Sequence, residues 1–116
     1  FNPGSSPSGS MKMIVSLACI KMRMTPAEAI NAATLNGAYA MGLSSEYGSI
    51  TVGKKANFFL TTKIPSVAYL PYAYTSPLIH RVFLRGQEVK QFADISFEAG
   101  AGYSAPAFCS FYFIPR

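Results

Sequence analysis

The sequence contains no tryptophan, one histidine and two cysteines in 116 residues, and each shortage closes off some chemistry. A zinc centre needs three or four ligands, and His80 stands alone, with no second histidine and no acid near it in sequence. Cys19, in an apolar helix-like run, and Cys109 make no disulfide framework and match no zinc-knuckle spacing, so both read as plain thiols. Aspartate and glutamate total five and stand apart from one another, which leaves no acid and base pair to nominate from spacing. A nucleophile elbow is missing too: Gly4-Ser5-Ser6-Pro7-Ser8 lacks the second glycine at the required place and follows no visible strand.

Long hydrophobic runs are also absent. No stretch of roughly 18 or more apolar residues could span a bilayer, and no basic, apolar and small-residue succession marks a secretory leader. The expectation is a soluble, cytoplasmic protein that engages no membrane. The chain opens at Phe1 in a Gly/Ser/Pro stretch that looks like the middle of a loop, so a missing upstream part is expected. The formal net charge of +5 would permit nucleic-acid binding, but its basic residues are scattered, with no run longer than two and no aromatic-interleaved RNA-binding signature. No nucleic-acid partner is expected.

What is present is half hydrophobic by composition, enough for a buried core in one modest domain. Ser10 can cap a helix from about Met11 to Met24, apolar on nearly every side and therefore expected to be buried. Thr25-Pro26-Ala27-Glu28 combines a hydroxyl N-cap, proline at the first helical position and a glutamate able to reach back to the cap amide. The helix it starts should run on past Met41, with Ile30, Ala33, Gly37 and Met41 on one stripe and Gly42 as its stop.

Gly48 to Gly53 and Asn57 to Thr62 read as two short strands joined around Gly53-Lys54-Lys55. The first has the glycine and lysine spacing of a phosphate-binding loop, but Lys55 stands where a magnesium-binding hydroxyl is needed. The segment also leads into a strand instead of a helix, so the turn reading is favoured. Lys63 to Leu78, broken by Pro65, Pro71 and Pro77, reads as an ordered loop. Arg81 to Leu84, a turn at Arg85-Gly86, and Gln87 to Val89 form a tight hairpin. From Lys90 to Arg116 aromatics recur without period, the pattern of a poorly ordered extension or of sequence foreign to the domain. The opening loop, with the Asn2 amide, glycine-flanked backbone amides and several hydroxyls before a helix, suits either a polar ligand or a plain capped turn.

Three runs then become specific: Phe1-Asn2-Pro3-Gly4-Ser5, Met24 to Gly42, and Gly48 to Asn57. Together with the Leu70-Pro71-Tyr72-Ala73-Tyr74 loop they resemble the C-terminal part of the imidazolonepropionase family of metal-dependent amidohydrolases. The Pro-x-Glu-Ala helix and the Gly-Ser-Ile-x-x-Gly-Lys-x-Ala turn belong to the wider superfamily, and the two loops carry the narrower likeness. The resemblance covers about residues 1 to 89, and the tail departs from it.

The resemblance implies an α/β fold in which residues 1–43 close a (β/α)8 barrel, with a substrate loop at 1–9 and helices at about 11–24 and 26–42. Residues 44–89 would be the C-terminal strands of a small composite β-sandwich. Barrel enzymes of this kind place their chemistry at the C-terminal ends of the strands. The family holds one divalent metal, zinc or iron, through histidines and an aspartate that would all fall upstream of Phe1, leaving no metal ligand and no catalytic residue in this chain. Asn2 and Gly4 would face the propionate or the ring-opened product, and Ser5 the imidazolone. The reaction implied is attack of metal-activated hydroxide on the ring carbonyl of imidazolone propionate, giving N-formimino-glutamate. The full-length enzyme would be a homodimer. Since strand partners would lie in a missing N-terminal segment, exposed edges and an unpaired apolar face are expected. Two alternatives stand beside this reading: a fragment of another amidohydrolase, such as a deaminase or deacetylase, and a free-standing α+β module binding through Tyr69 to Tyr74.

Overall fold

The computed structural model describes residues 4, 9–89 and 110–112. Helix α1, Met11–Lys21, starts where expected: Ser10 is extended and its Oγ accepts the Met13 amide at 3.4 Å. It ends three residues before the expected Met24. Arg23 takes a left-handed φ of 56°, which no helix can propagate, and the Met22 and Met24 amides both return to the Ala18 carbonyl.

The Thr25–Glu28 box forms in full. Thr25 Oγ1 accepts the Glu28 amide at 3.3 Å, while the Glu28 carboxylate accepts from the Thr25 amide and hydroxyl at 2.8 Å each. A box of this kind stabilises a helix start by about 0.5–2 kcal/mol. Helix α2, Pro26–Asn31, then passes through a π-helical turn, Ala32–Asn36, into α3, Gly37–Ala40. The expected single helix is thus continuous in path but widened in its middle. Thr34 Oγ1 donates to the Ile30 carbonyl at 2.7 Å, the oxygen that the Thr34 amide would take in a regular α-helix. Gly42, at φ 72°, stops the helix as its position suggested.

The first expected strand does not form. Gly48 and Gly53 have φ of 90° and 92°, so the chain between them cannot stay extended, and it folds into a loop closed by the Lys55 amide on the Glu46 carbonyl at 2.9 Å. Inside it the Lys54 ammonium caps the Tyr47 carbonyl at 3.1 Å. No helix follows the glycine–lysine run, in keeping with the turn reading over the phosphate loop.

Strand β1, Phe58–Thr61, pairs antiparallel with β2, Ile79–Leu84, which turns into β3, Gln87–Glu88. The turn is the expected Arg85-Gly86 pair, with φ of 51° and 79°, the primed geometry that suits strand twist. The buried Asn57 side chain accepts the Arg85 amide at 2.8 Å and the Ala56 carbonyl accepts the Gly86 amide at 3.0 Å, so the entry to β1 holds the hairpin tip. On the other side of β1 lies β4, Ser110–Tyr112, in parallel register, giving the order β3-β2-β1-β4. The rest of the 90–116 tail lies outside the described residues.

Between β1 and β2 the expected loop contains a short helix, α4, Tyr69–Tyr72. Pro71 is tolerated because the first four amides of a helix have no intrahelical acceptor. Leu70 from α4 meets Ile64 and Leu78 in the core, with Ile30, Tyr69 and Ala73 packed around them. Each such buried aliphatic contributes about 1.5–3 kcal/mol. α1 buries Val15, and its Lys12 ammonium reaches the Ser76 carbonyl at 2.8 Å. The opposite side of α1 is not buried, contrary to the all-round apolar reading: Ile14, Leu17 and Ile20 are exposed, as is Met22 at its C-cap. The sheet splits its faces in the usual way, with the partners Phe59 and Val82 buried. On the other face the partners Phe58 and Phe83 stack half-exposed, their ring centroids 4.7 Å apart.

The two loop glycines give a paired prediction. A Cβ at Gly48 would lie 2.8 Å from Ala38 Cβ and 3.1 Å from the Thr34 carbonyl, whereas one at Gly53 would meet nothing within 4 Å. Gly53→Ala should cost about 1–2 kcal/mol for its backbone alone. Gly48→Ala should cost that plus about 1–3 kcal/mol of overpacking. Urea unfolding midpoints of the two variants would separate them, and equal losses would contradict the close approach.

Candidate functional site

Of the three residues assigned to substrate, Gly4 lies in an exposed turn, and Asn2 and Ser5 fall outside the described residues. Gly9, at φ 60°, brings the chain out of that loop and into the Ser10 cap of α1. The loop therefore enters a capped helix N-terminus, the setting in which backbone amides and hydroxyls face an anionic or polar group.

The described acids are engaged by the fold itself. Glu28 closes its capping box, and the hydrogen bonds from the Thr25 amide and hydroxyl hold its carboxyl below the ordinary glutamate range. Glu46 pairs with Lys55, whose ammonium is raised above its usual range mainly by that bond, and Lys55 also sits 5.0 Å over the Tyr47 ring. Glu88 takes a two-pronged bond from Arg81, Nε to Oε1 at 2.7 Å and the terminal nitrogen to Oε2 at 2.6 Å, which raises the Arg81 guanidinium. The same guanidinium lies 4.9 Å over the Phe83 ring.

His80 is exposed on β2, and among the described residues no three histidine, cysteine or acidic side chains come together. The described residues consequently do not fit the zinc or iron that the resemblance implies, and no step through a metal is derived from them. Among the described residues, no helix is long and apolar enough to cross a membrane. Two structural roles escaped the sequence reading. Asn57 is a buried hydrogen-bonding post for the hairpin, and Thr34 reorganises the helix through its own hydroxyl. Neither has a local signature beyond a polar residue next to apolar ones.

The described elements thus form a small α/β scaffold whose acids are held by its own cap, lysine and arginine. The sequence matches the model of the amidohydrolase family over residues 4–89, and the chain belongs to that family. It is 63% identical over 87 residues to the imidazolonepropionase of Christiangramia forsetii and, over the same length, 63% identical to that of Flavobacterium johnsoniae. The imidazolonepropionase of Streptococcus pyogenes is 41% identical over 86 residues. In the first two comparisons the match takes in 75% of this chain and 21% of the relative, so the chain spans about a fifth of the length of these enzymes.

The capping box sets a pH dependence with a definite sign. The Glu28 carboxyl is depressed in the folded chain, so its contribution is complete above the unfolded glutamate pKa of about 4.3 and is lost as pH falls through the lower folded value. Glu28→Gln keeps an oxygen for the Thr25 amide but cannot titrate. Thermal melts across that acidic window should show a steeper loss of stability for the parent chain than for Glu28→Gln. Parallel curves would mean that the box does not carry the titration.

Proposed function

We propose that this chain is the C-terminal portion of an imidazolonepropionase. In that reading it contributes substrate binding to the hydrolysis of 4-imidazolone-5-propanoate to N-formimino-L-glutamate, a hydrolase reaction on the C–N bond of a cyclic amide. The observation that carries the proposal is the identity of 63% sustained over 87 residues with enzymes of that name. Residues 1–43 would close the barrel and 44–89 would complete the small sandwich domain. The catalytic and zinc- or iron-holding residues would belong to the remaining four-fifths of the enzyme, which would work as a cytoplasmic homodimer.

Within the 116 residues the roles are those of contact. The Asn2 side-chain amide can donate to a propionate carboxylate and the Gly4 amide can approach it without a side chain intervening. The Ser5 hydroxyl can donate to, or accept from, the imidazolone ring. A hydrogen bond to a charged carboxylate is worth about 1.5–3 kcal/mol, so Asn2 should matter more than Ser5.

The outward face of α1 supports this reading over a free-standing module. Ile20 is 70% exposed, and Ile14 and Leu17, which share its helix face by spacing, are exposed as well. A self-contained domain would place polar residues there. Burial of that face by the rest of a barrel accounts for it, and the aromatic Tyr69–Tyr74 segment need not be a partner surface.

The test is a chimera in which residues 1–89 replace the matching segment of the Christiangramia forsetii enzyme. Loss of the imidazolone absorbance at a rate near that of the parent enzyme is expected, with the isolated 116-residue chain giving no turnover with added zinc or iron. In the chimera, Asn2→Ala should raise KM for imidazolone propionate by about tenfold or more. A well-folded chimera without turnover, or one that prefers an acetylated amine or an aminopurine, would move the assignment to a deacetylase or deaminase.

A further inference from the structure

The two outer sides of the central strands are finished in different ways. Beyond β2 the sheet ends in β3, two exposed residues whose Glu88 is paired with Arg81. A short, charged edge is a poor template for another strand. β1 is different. Phe58-Phe59-Leu60-Thr61 has no charge, no proline and no glycine, and its composition is that of a segment that adds readily to a second copy of itself. Its outer edge carries β4, with Phe58 opposite Ser110, Phe59 opposite Phe111 and Leu60 opposite Tyr112. These three residues lie beyond the 4–89 span matched by the family, so this closure does not come from the shared amidohydrolase sequence.

We propose that Ser110–Tyr112 acts as an edge cap in cis: it saturates the outer hydrogen-bonding groups of β1 and thereby keeps a second copy of this chain from adding to the sheet. The proposal stands apart from the enzymatic assignment, since it needs only the backbone pairing and the composition of β1. The energetic reasoning is that of unpaired strand groups. An edge that has lost its partner must hydrate or pair, and pairing with the same edge of another copy also covers the uncharged side chains of β1.

Hydrogen exchange and light scattering on the full 116-residue chain test it. Successive amides along β1 point alternately to β2 and to β4, so both sets between Phe58 and Leu60 should be protected in the parent chain, which should remain monomeric as concentration rises. Protection of the β2-facing set alone, or a parent chain that already associates, would overturn the proposal.

The variant Phe111→Pro with Tyr112→Pro removes the β4 amide donors at those two positions. It should speed exchange of the β4-facing β1 amides by at least tenfold, leave the β2-facing set protected, and shift the mass to dimers or larger species. Adding Thr61→Lys, which puts a charge at the end of β1, should restore the monomer. Faster exchange with no change in mass would show that β4 pairs without guarding the edge, and would equally overturn it.

Discussion

Where Gly48 lies against the helix at Thr34, Leu35 and Ala38 there is no room for a side chain, and the direction in which the chain leaves for the sheet is set at that point. The helix is already widened there, because the Thr34 hydroxyl holds the Ile30 carbonyl and the turn from Ala32 to Asn36 closes with π spacing. Tyr47 is buried beside it, the loop from Glu46 to Lys55 closes on itself, and Asn57 arrives where its side chain can hold the Arg85 amide. A displacement at Gly48 would therefore be felt at the tip of the β2–β3 hairpin, although no residue of that hairpin touches the helix through Gly48. Close packing transmits such shifts because the interior has little slack.

The parts of this fold that were legible in the sequence are those decided within four or five residues. Ser10, the Thr25–Glu28 box, the Gly42 stop and the Arg85-Gly86 turn each satisfy orphaned amides or supply a positive φ locally, and each appears where the residues place it. Errors fall where a distant contact overrides a local pattern. Gly48 to Gly53 alternates like a strand, but the approach to Ala38 demands a positive φ at Gly48 and the pattern loses its meaning. The π turn was invisible because any threonine on a helix can turn its hydroxyl to the preceding carbonyl. Prolines hid α4, since a helix of four residues makes almost no use of the amides that proline lacks. Of the site, the family came from the resemblance of particular runs and not from spacing. A role for Asn2 and Ser5 was not legible from the residues alone, because small polar residues beside glycine and proline also suit a plain capped turn.

The charges show how little of the described chain is left for chemistry. Glu28, Glu46 and Glu88 face a cap, a lysine and an arginine, and the Thr25 hydrogen bonds hold the Glu28 carboxyl below the ordinary glutamate range. A general base needs the opposite, a carboxylate whose proton affinity is raised towards the working pH. Exposed ion pairs such as these are screened by solvent and add little stability, so their value lies in geometry: Lys55 pins the closing end of its loop, and the Arg81 fork holds β3 against β2.

The incomplete surfaces of the chain differ in what can complete them. A strand edge is a directional row of donors and acceptors only a few residues long, and three residues of extended backbone are enough to satisfy it, as β4 does for β1. The outer face of α1 is non-directional: its exposed isoleucines and leucine gain about 25 cal/mol for each Å² removed from water. Only a broad, shaped, apolar partner can remove much of that area at once. A short strand cannot cover it, and the described residues contain no second element placed to do so. The two kinds of surface thus call for partners of different kinds, with the edge closed from within the 116 residues and the helix face suited to a larger apolar body.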